Sequence, residues 1–494
     1  MNLGVPDLDL VWIFSFDLSR PCDPERVARR LSRTGLVSKM LRFDETGRPQ
    51  IVTLVETAHE DGDSTGLNWD DVADMEMLEI MGSVDLTLFS EEYRRSHPYV
   101  RLKLRGFEAT FSELQSKIRA PIHGEAYVLI HRTGFAIMSF WLSIRQSTLD
   151  LNDLMSLEQS EATSLRTIIW RGLAEEYAKV SLSMRKILTS DRHESSQSLS
   201  IVTNIETLSN IYAFCIVTKG LIGDISSIEE LEKKLRYYPI GRYPLISIRN
   251  IGGSALEKFV NDHKFELHGI LTKEKYWDWV GQKWVDYALR ENLAWRSDWA
   301  VYIGYGASLL MTAPSVTERF LEIKALKQPK DSDQQLELEY RGVNLDVVNI
   351  VEVLKLQEIM LRTYDYVLSV GPPRSILGLT NLKQSLTEGL EEYQNVRIWP
   401  HKTAQEWVEF GQRIMNIDKI YAVVQEKFKL LEGRLRTQYD VRLNRLVVAL
   451  AVLFGSTQVG QLAAALGWSQ WSSLFICMAT LALGLLAARV TRII

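Results

Sequence analysis

The residues with the clearest chemical meaning lie inside the C-terminal apolar run, residues 446–466. Ser456, Thr457, Gln458 and Gln461 sit near its middle, in a stretch with no charged side chain. Polar groups in a hydrocarbon environment are costly unless a partner or water meets them. Gln458 and Gln461 are three residues apart and share one helix face. That face extends back through Gly455, Ala451, Val448 and Asn444. Two chemistries fit this pattern. In one, small residues admit a neighbouring helix and the amides hydrogen-bond across the contact, with Gly455 and Gly460 allowing close approach. In the other, the same face lines a pore. The residues leave both open.

Other candidate chemistry does not survive a spacing test. DGDSTGLNWDDV (residues 61–72) opens like a calcium loop, with Asp61, Asp63, Thr65 and Gly66, but has Val72 where a bidentate Glu is needed. A solvated acidic loop is the expectation there. His263 and His268 are five apart and lack a third ligand, and His131 reads as a polar turn residue. IGYG (residues 303–306) lacks the third glycine of a phosphate loop and reads as a hairpin turn. No Ser-His-Asp order, HExxH or paired-carboxylate motif is present. No catalytic residue, metal ligand set or cofactor is identified, and the expectation is a protein that is not an enzyme.

The elements that position the polar face can be read around it. At about 1.5 Å per residue, a run of this length reaches across a hydrocarbon core of roughly 30 Å. A second apolar run, residues 472–488, follows after GWSQW (residues 467–471). Gly467, Trp468 and Trp471 suit a tight outer turn, because tryptophan favours the membrane interface. Arg434, Arg436, Arg442 and Arg445 precede the first run, and Arg489 and Arg492 follow the second. The positive-inside rule then places both termini in the cytoplasm, with the hairpin in an inner or plasma membrane and the lipid bilayer as first partner. A buried soluble hairpin would leave the arginines unexplained.

Ahead of the first run, Trp407, Phe410, Ile414, Ile417, Tyr421, Val424, Phe428, Leu431 and Leu435 repeat at alternating spacings of three and four. Such a seam predicts a coiled-coil stalk, continuous with the first span. A second heptad series runs from Val347 to Leu368 and ends at Gly371-Pro372-Pro373, and a third helix is expected over residues 377–393. The seam fits a three-helix bundle within one chain or stalks packed between chains, and both remain open.

The first 400 residues read as one β-α-β unit used twice. The first copy has VWIFSFD (residues 11–17), a helix capped by Asp23, and IVTLVE (residues 51–56). The second has IYAFCIV (211–217), SSIEELEKKLRYY (226–238) and PLISIRN (244–250). Each is followed by an apolar hairpin, around Gly134 in one and Gly306 in the other. A helix is expected after each: residues 164–188 in the first copy, 315–326 and then 345–368 in the second. Residues 49–93 hold twelve Asp/Glu and no Lys or Arg, and read as an acidic insert. The fold class is therefore an α+β cytoplasmic body with two β-α-β repeats, a helical stalk and a C-terminal two-helix transmembrane hairpin. The expected domains are 1–190 with the insert, 201–330, a helical bundle and stalk over 345–443, and two transmembrane helices over 446–490.

Bulk properties narrow the class. The chain has 494 residues and a net charge of −5, which gives no support to a nucleic-acid partner. Cys22, Cys215 and Cys477 are far apart and fit a reducing compartment, and the N-terminus has no basic stretch ahead of an apolar one, so it does not read as a signal peptide.

The layout of residues 400–494 resembles the CorA-like two-transmembrane metal-ion transporters: a long stalk helix entering the first span, a short outer loop, a second span and a short basic tail. The resemblance implies a homo-oligomer, a pentamer in that family, whose first span lines a pore for a divalent cation. The family's Gly-Met-Asn signature is replaced here by Gly467-Trp468-Ser469. The soluble units, with YVLIHRTGFAIMSFW as their hairpin, more faintly resemble the "required for meiotic nuclear division" family. The functional expectation is an oligomeric channel, transporter or gated membrane effector, with the body sensing and the stalk gating. A non-conducting membrane-anchored scaffold is the alternative from another class, and an unrecognised hydrolase is the third.

Overall fold

The computed structural model describes residues 4–5, 7–18, 21–32, 37–53, 77–104, 107–111, 117–118, 122–145, 147–159, 165–170, 207–208, 241–249, 251, 256–274, 276–294, 296–313, 332–394 and 400–490. The chain divides into two compact units. One comprises residues 1–364 with 386–421, the other 365–385 with 422–494.

The first unit is built on a mixed sheet. Its central strand, β2 (Leu8–Asp17), alternates strictly: Leu8, Leu10, Trp12 and Phe14 enter one hydrophobic core, while Asp9, Val11 and Ile13 point to the other face. A two-stranded pair, β1 (Gly4–Val5) with β9 (Leu149–Asp150), stands apart from it. The hairpin expected around Gly134 is present as β7 (Ile122–His131) and β8 (Phe135–Ile144), and Gly134 adopts a positive φ of 85° in its turn. The hairpin β13 (Trp299–Ile303) and β14 (Ser308–Thr312) turns through IGYG. There a Cβ on Gly304 would lie 2.6 Å from the Leu271 carbonyl oxygen, so no side chain fits.

Strand β12 (Gly241–Ile248) pairs antiparallel with β2 and parallel with β14. The sheet thus runs unbroken through both expected repeats. Within the first repeat, β3 (Val37–Phe43) does not neighbour β2. It pairs with β4 (Pro49–Thr53) and β5 (Tyr99–Leu104). In turn β5 and β6 (Phe107–Phe111) lie along one edge of β7. The opening strand and helix expected for the second repeat, residues 211–238, and the helix at 315–326 fall outside the described residues, as does the stretch 61–72.

Along the first 190 residues two elements differ from the expectation. Of the helix expected over residues 164–188, residues 165–170 are instead β10 (Leu165–Trp170), paired with β6 and with β11 (Thr207–Leu208), and 171–188 fall outside the described residues. LRTIIW is rich in β-branched and aromatic side chains, and pairing with a strand some 55 residues earlier decides its state. The acidic stretch 49–93 is not an insert throughout. Its start is β4, and its end is helix α2 (Met77–Leu88), whose Met77, Leu78, Met81 and Leu88 are buried.

Helices cover both sheet faces. On the Trp12 face lie α1 (Pro24–Ser32), α4 (Leu151–Gln159), α5 (Leu256–Asp262) and α6 (Lys264–Thr272), which share one core with the strands. Asp23 caps α1 through its Oδ1, which accepts from Glu25 and Arg26 N–H at 3.0 and 3.3 Å. The helix α3 (Glu91–Arg95) leads into β5. On the Asp9 face lies α8 (Ser332–Val370), numbered after the short α7 (Gln282–Ala288). From Asn344 to Gln357 every α8 side chain except Asp346 is buried, as expected of a helix enclosed on all sides.

Helix α9 (Ile376–Gln394) follows the Gly-Pro-Pro break. The expected unbroken stalk is two helices, α10 (Lys402–Ile414) and α11 (Ile417–Ala465). Asn416 takes a left-handed φ of 57° between them. Its N–H donates to the Arg413 carbonyl, and its own carbonyl accepts from Ile420 N–H at 3.1 Å, which restarts the helix. The heptad pattern passes through this break without a change of spacing. Continuity from residue 417 to 465 is as expected. Helix α12 (Gln470–Val490) closes the chain's described part.

Candidate functional site

Helix α11 is long and apolar enough to cross a membrane by length and composition. Its most apolar window has a mean hydropathy of 1.7, and only 17% of that window is buried, unlike the core helix of a soluble protein. The apolar stretch of α12, Gln470–Gly484, is shorter. The turn between them uses Gly467 at φ 83°. Trp468 N–H donates to the Ala463 carbonyl and Gly467 N–H to that of Ala464, a Schellman cap that only a residue tolerating positive φ allows. Trp468 and Trp471 are both exposed there.

Contact between α11 and α12 runs through small residues. A Cβ on Gly460 would meet Cys477 Cβ at 3.0 Å, and one on Gly484 would meet Val452 Cγ1 at 2.5 Å. Ser456 and Ala463 are buried on the same side. At about 100° per residue, Val452, Ser456, Gly460 and Ala463 occupy one arc of α11. Asn444, Ala451, Gln458 and Gln461 occupy the opposite half, and all four are exposed. Gly455 lies at the border with open space beyond its Cα. The polar stripe expected from the sequence is therefore turned away from α12. Ser456 and Thr457 satisfy their hydroxyls on their own helix, at the carbonyls of Leu453 (2.8 Å) and Phe454 (2.7 Å). Asn444, Gln458 and Gln461 have no side-chain hydrogen bond among the described residues.

The stalk seam is met largely within the chain. Trp407, Phe410 and Ile417 are buried, and Ile414 and Tyr421 are half-buried. Trp407 donates its indole N–H to the Leu293 carbonyl at 2.7 Å, and Gly411 lets α10 approach Leu354 of α8 closely. In the second unit Val424, Phe428 and Leu435 are buried, with Leu431 half-buried. Lys427 bridges to Asp365 and Ser369 at 2.6 and 2.7 Å. From Arg436 to Val447 every residue of α11 is exposed.

The structure also holds a polar layer that spacing did not reveal, on the sheet face under α8. Asp85 on α2 receives Arg101 of β5 through two guanidinium nitrogens, at 3.1 and 3.2 Å, and Asn349 of α8 at 3.0 Å. Arg101 also binds Glu352 of α8. Nearby, Asp9 accepts from Ser143 (2.9 Å), Arg145 (2.8 Å), Asn344 (3.0 Å) and Arg249 (2.8 Å). Burial pushes the carboxyls of Asp85 and Glu352 up against the opposing pull of Arg101, whose own guanidinium is held charged by both acids. Signals for this layer existed: Arg101 interrupts the apolar strand YVRLKL, and Glu352 stands in the apolar heptad helix.

His131, expected as a polar turn residue, is the last residue of β7 and fully buried. Its Nδ1 lies 2.6 Å from Thr133 Oγ1, and burial pushes its pKa down to about 3, so it is neutral. Burial also lowers the pKa of His268, and burial alone lifts that of Asp346, on α8, to about 7. Among the described residues no group of His, Cys, Asp and Glu could hold a metal ion. No protein-family model, curated protein or solved structure matches this chain.

Proposed function

We propose that this chain is an oligomeric membrane protein of CorA-like layout, in which α11 and α12 cross the bilayer as a hairpin and copies meet through the stripe Asn444, Gly455, Gln458 and Gln461. The observation that carries this reading is the direction of that stripe: it lies opposite α12 and finds no partner among the described residues. In a bilayer, only lipid, water or another copy can then meet it. Interhelical hydrogen bonds between side chains of this type are worth about 1 kcal/mol each. A closed ring of copies would set several amide carbonyls around one axis, a dipole arrangement suited to a cation. Mg²⁺ selectivity is not part of the proposal, because Gly467-Trp468-Ser469 stands where the family carries its signature. The body of two related units would face the cytoplasm and act on the membrane part through the helices that leave it.

Burial of Val424 and Phe428 by the chain itself favours a second reading, a non-conducting scaffold whose stalk has no need of other copies. The two readings separate in one experiment. Full-length protein in liposomes, wild type and Gln458→Leu/Gln461→Leu, is assayed for cation flux and for assembly. Wild-type flux that the double variant loses as its assembly shifts toward smaller species supports the conduit. Assembly without any flux supports the scaffold.

A further inference from the structure

The Asp85–Arg101–Glu352 cluster has an unequal charge count. Two carboxylates share one guanidinium, and all three side chains are at most 2% exposed. From the surrounding elements, the titratable and charged groups are few. Helix α2 offers Asp85 itself, and β5 offers Arg101 and Tyr99, whose ring lies 5.3 Å from the guanidinium carbon. The α3 helix offers Arg94, which bonds the Ser90 carbonyl and forms no ion pair with either acid. On α8 itself, Lys355 is engaged by Glu358. With both acids ionised, they would share the one guanidinium paired to them, with Arg94 attracting Asp85 from beyond ion-pair distance, and the less well answered acid takes up a proton instead.

The hydrogen bonds indicate which acid holds it. Asp85 accepts from Arg101 twice and from Asn349, an arrangement that suits a carboxylate. Glu352 has a single guanidinium contact. Beside it on β8 lies the buried Ser139 hydroxyl, which hydrogen-bonds the Glu352 carboxyl and can accept from it when that acid is protonated. We propose that Glu352 is a carboxylic acid at neutral pH, and that this proton is a latch holding α8 on the sheet. When the proton leaves, the cluster carries surplus buried charge and α8 loosens. An acid whose folded-state pKa is raised contributes stability at low pH and loses it as pH rises through the folded value. The latch therefore opens toward alkaline pH. It stands on the body alone and holds whether or not the hairpin conducts.

Two measurements on the full-length protein test it. With Asp346→Asn in every sample, to remove a second carboxyl that titrates in this range, infrared difference spectra between pH 6 and pH 10 should show loss of a protonated-carboxyl band, and Glu352→Gln should remove that band. Hydrogen exchange over residues 344–357, compared at equal pH, should be at least ten-fold faster in wild type than in Glu352→Gln at pH 9.5, and within two-fold at pH 6.5. Absence of the band in Asp346→Asn protein that keeps Glu352 overturns the proposal. So does a Glu352→Gln protein that is less protected than wild type at pH 6.5, because an ionised Glu352 would then be the native form. A band that persists in Glu352→Gln and vanishes in Asp85→Asn overturns the assignment of the proton.

Discussion

Two long helices in this chain carry polar residues among apolar ones, and they treat them in opposite ways. On α8, Asn344, Asn349 and Glu352 are buried, and each meets a charged group on the sheet side: Asp9, Asp85 and Arg101. On α11, Asn444, Gln458 and Gln461 are exposed, on the side that α12 leaves uncovered. The contrast separates two meanings of a polar residue in an apolar helix. Where the chain supplies the partner, the residue fixes the helix's register in a core. Where it does not, the partner must come from outside, and the residue marks a contact with another molecule or with water.

The comparison breaks first at Arg101. Arg101→Met strands two buried carboxyls and should lower stability by about 3–5 kcal/mol, the usual consequence of removing one partner of a buried ion pair. Chemical denaturation followed by tryptophan fluorescence checks it, and a loss under 1 kcal/mol would mean α8 is not held by these charges. In the hairpin, Gly460→Leu places a branched side chain against Cys477 and the Ser473 carbonyl. It should separate α11 from α12, at roughly 1–3 kcal/mol of overpacking, and abolish the cross-link that Val452→Cys with Gly484→Cys forms between the helices. A smaller effect concerns Asp346, the one half-buried α8 residue between Asn344 and Gln357. Its carboxyl pKa is raised to about 7 by burial, so its ionisation destabilises the fold as pH rises through that value. Asp346→Asn should then gain stability progressively from about pH 4 to pH 7, by on the order of 1–3 kcal/mol more at pH 8 than at pH 5, read from paired denaturation curves.

Much of this architecture is legible locally. The strand over residues 11–17, the hairpin around Gly134, the Gly-Pro-Pro break after α8 and the glycine turn at residue 467 each follow from alternation or from a residue that alone tolerates the backbone. What escaped depends on distant partners or on context. Leu165–Trp170 becomes a strand because β6 is there to pair with it. Asn416 breaks a heptad seam with no Gly or Pro at the break itself to announce it. Asp85 reads as one more solvated acid in an acidic stretch, and only Arg101, 16 residues on, makes it part of a core. On α11 the polar stripe was visible in the sequence. That it turns away from α12 required the positions of Gly460 and Gly484.

The central claim is that this stripe is answered by other copies of the chain. Its most direct test is the oligomeric mass of the detergent-extracted full-length protein, by native mass spectrometry or light scattering, beside Gln458→Leu/Gln461→Leu. The account predicts a closed ring for wild type and a shift toward smaller species in the double variant, with the body's unfolding curve unchanged. A wild-type monomer, or a ring that the double variant leaves intact, would contradict it.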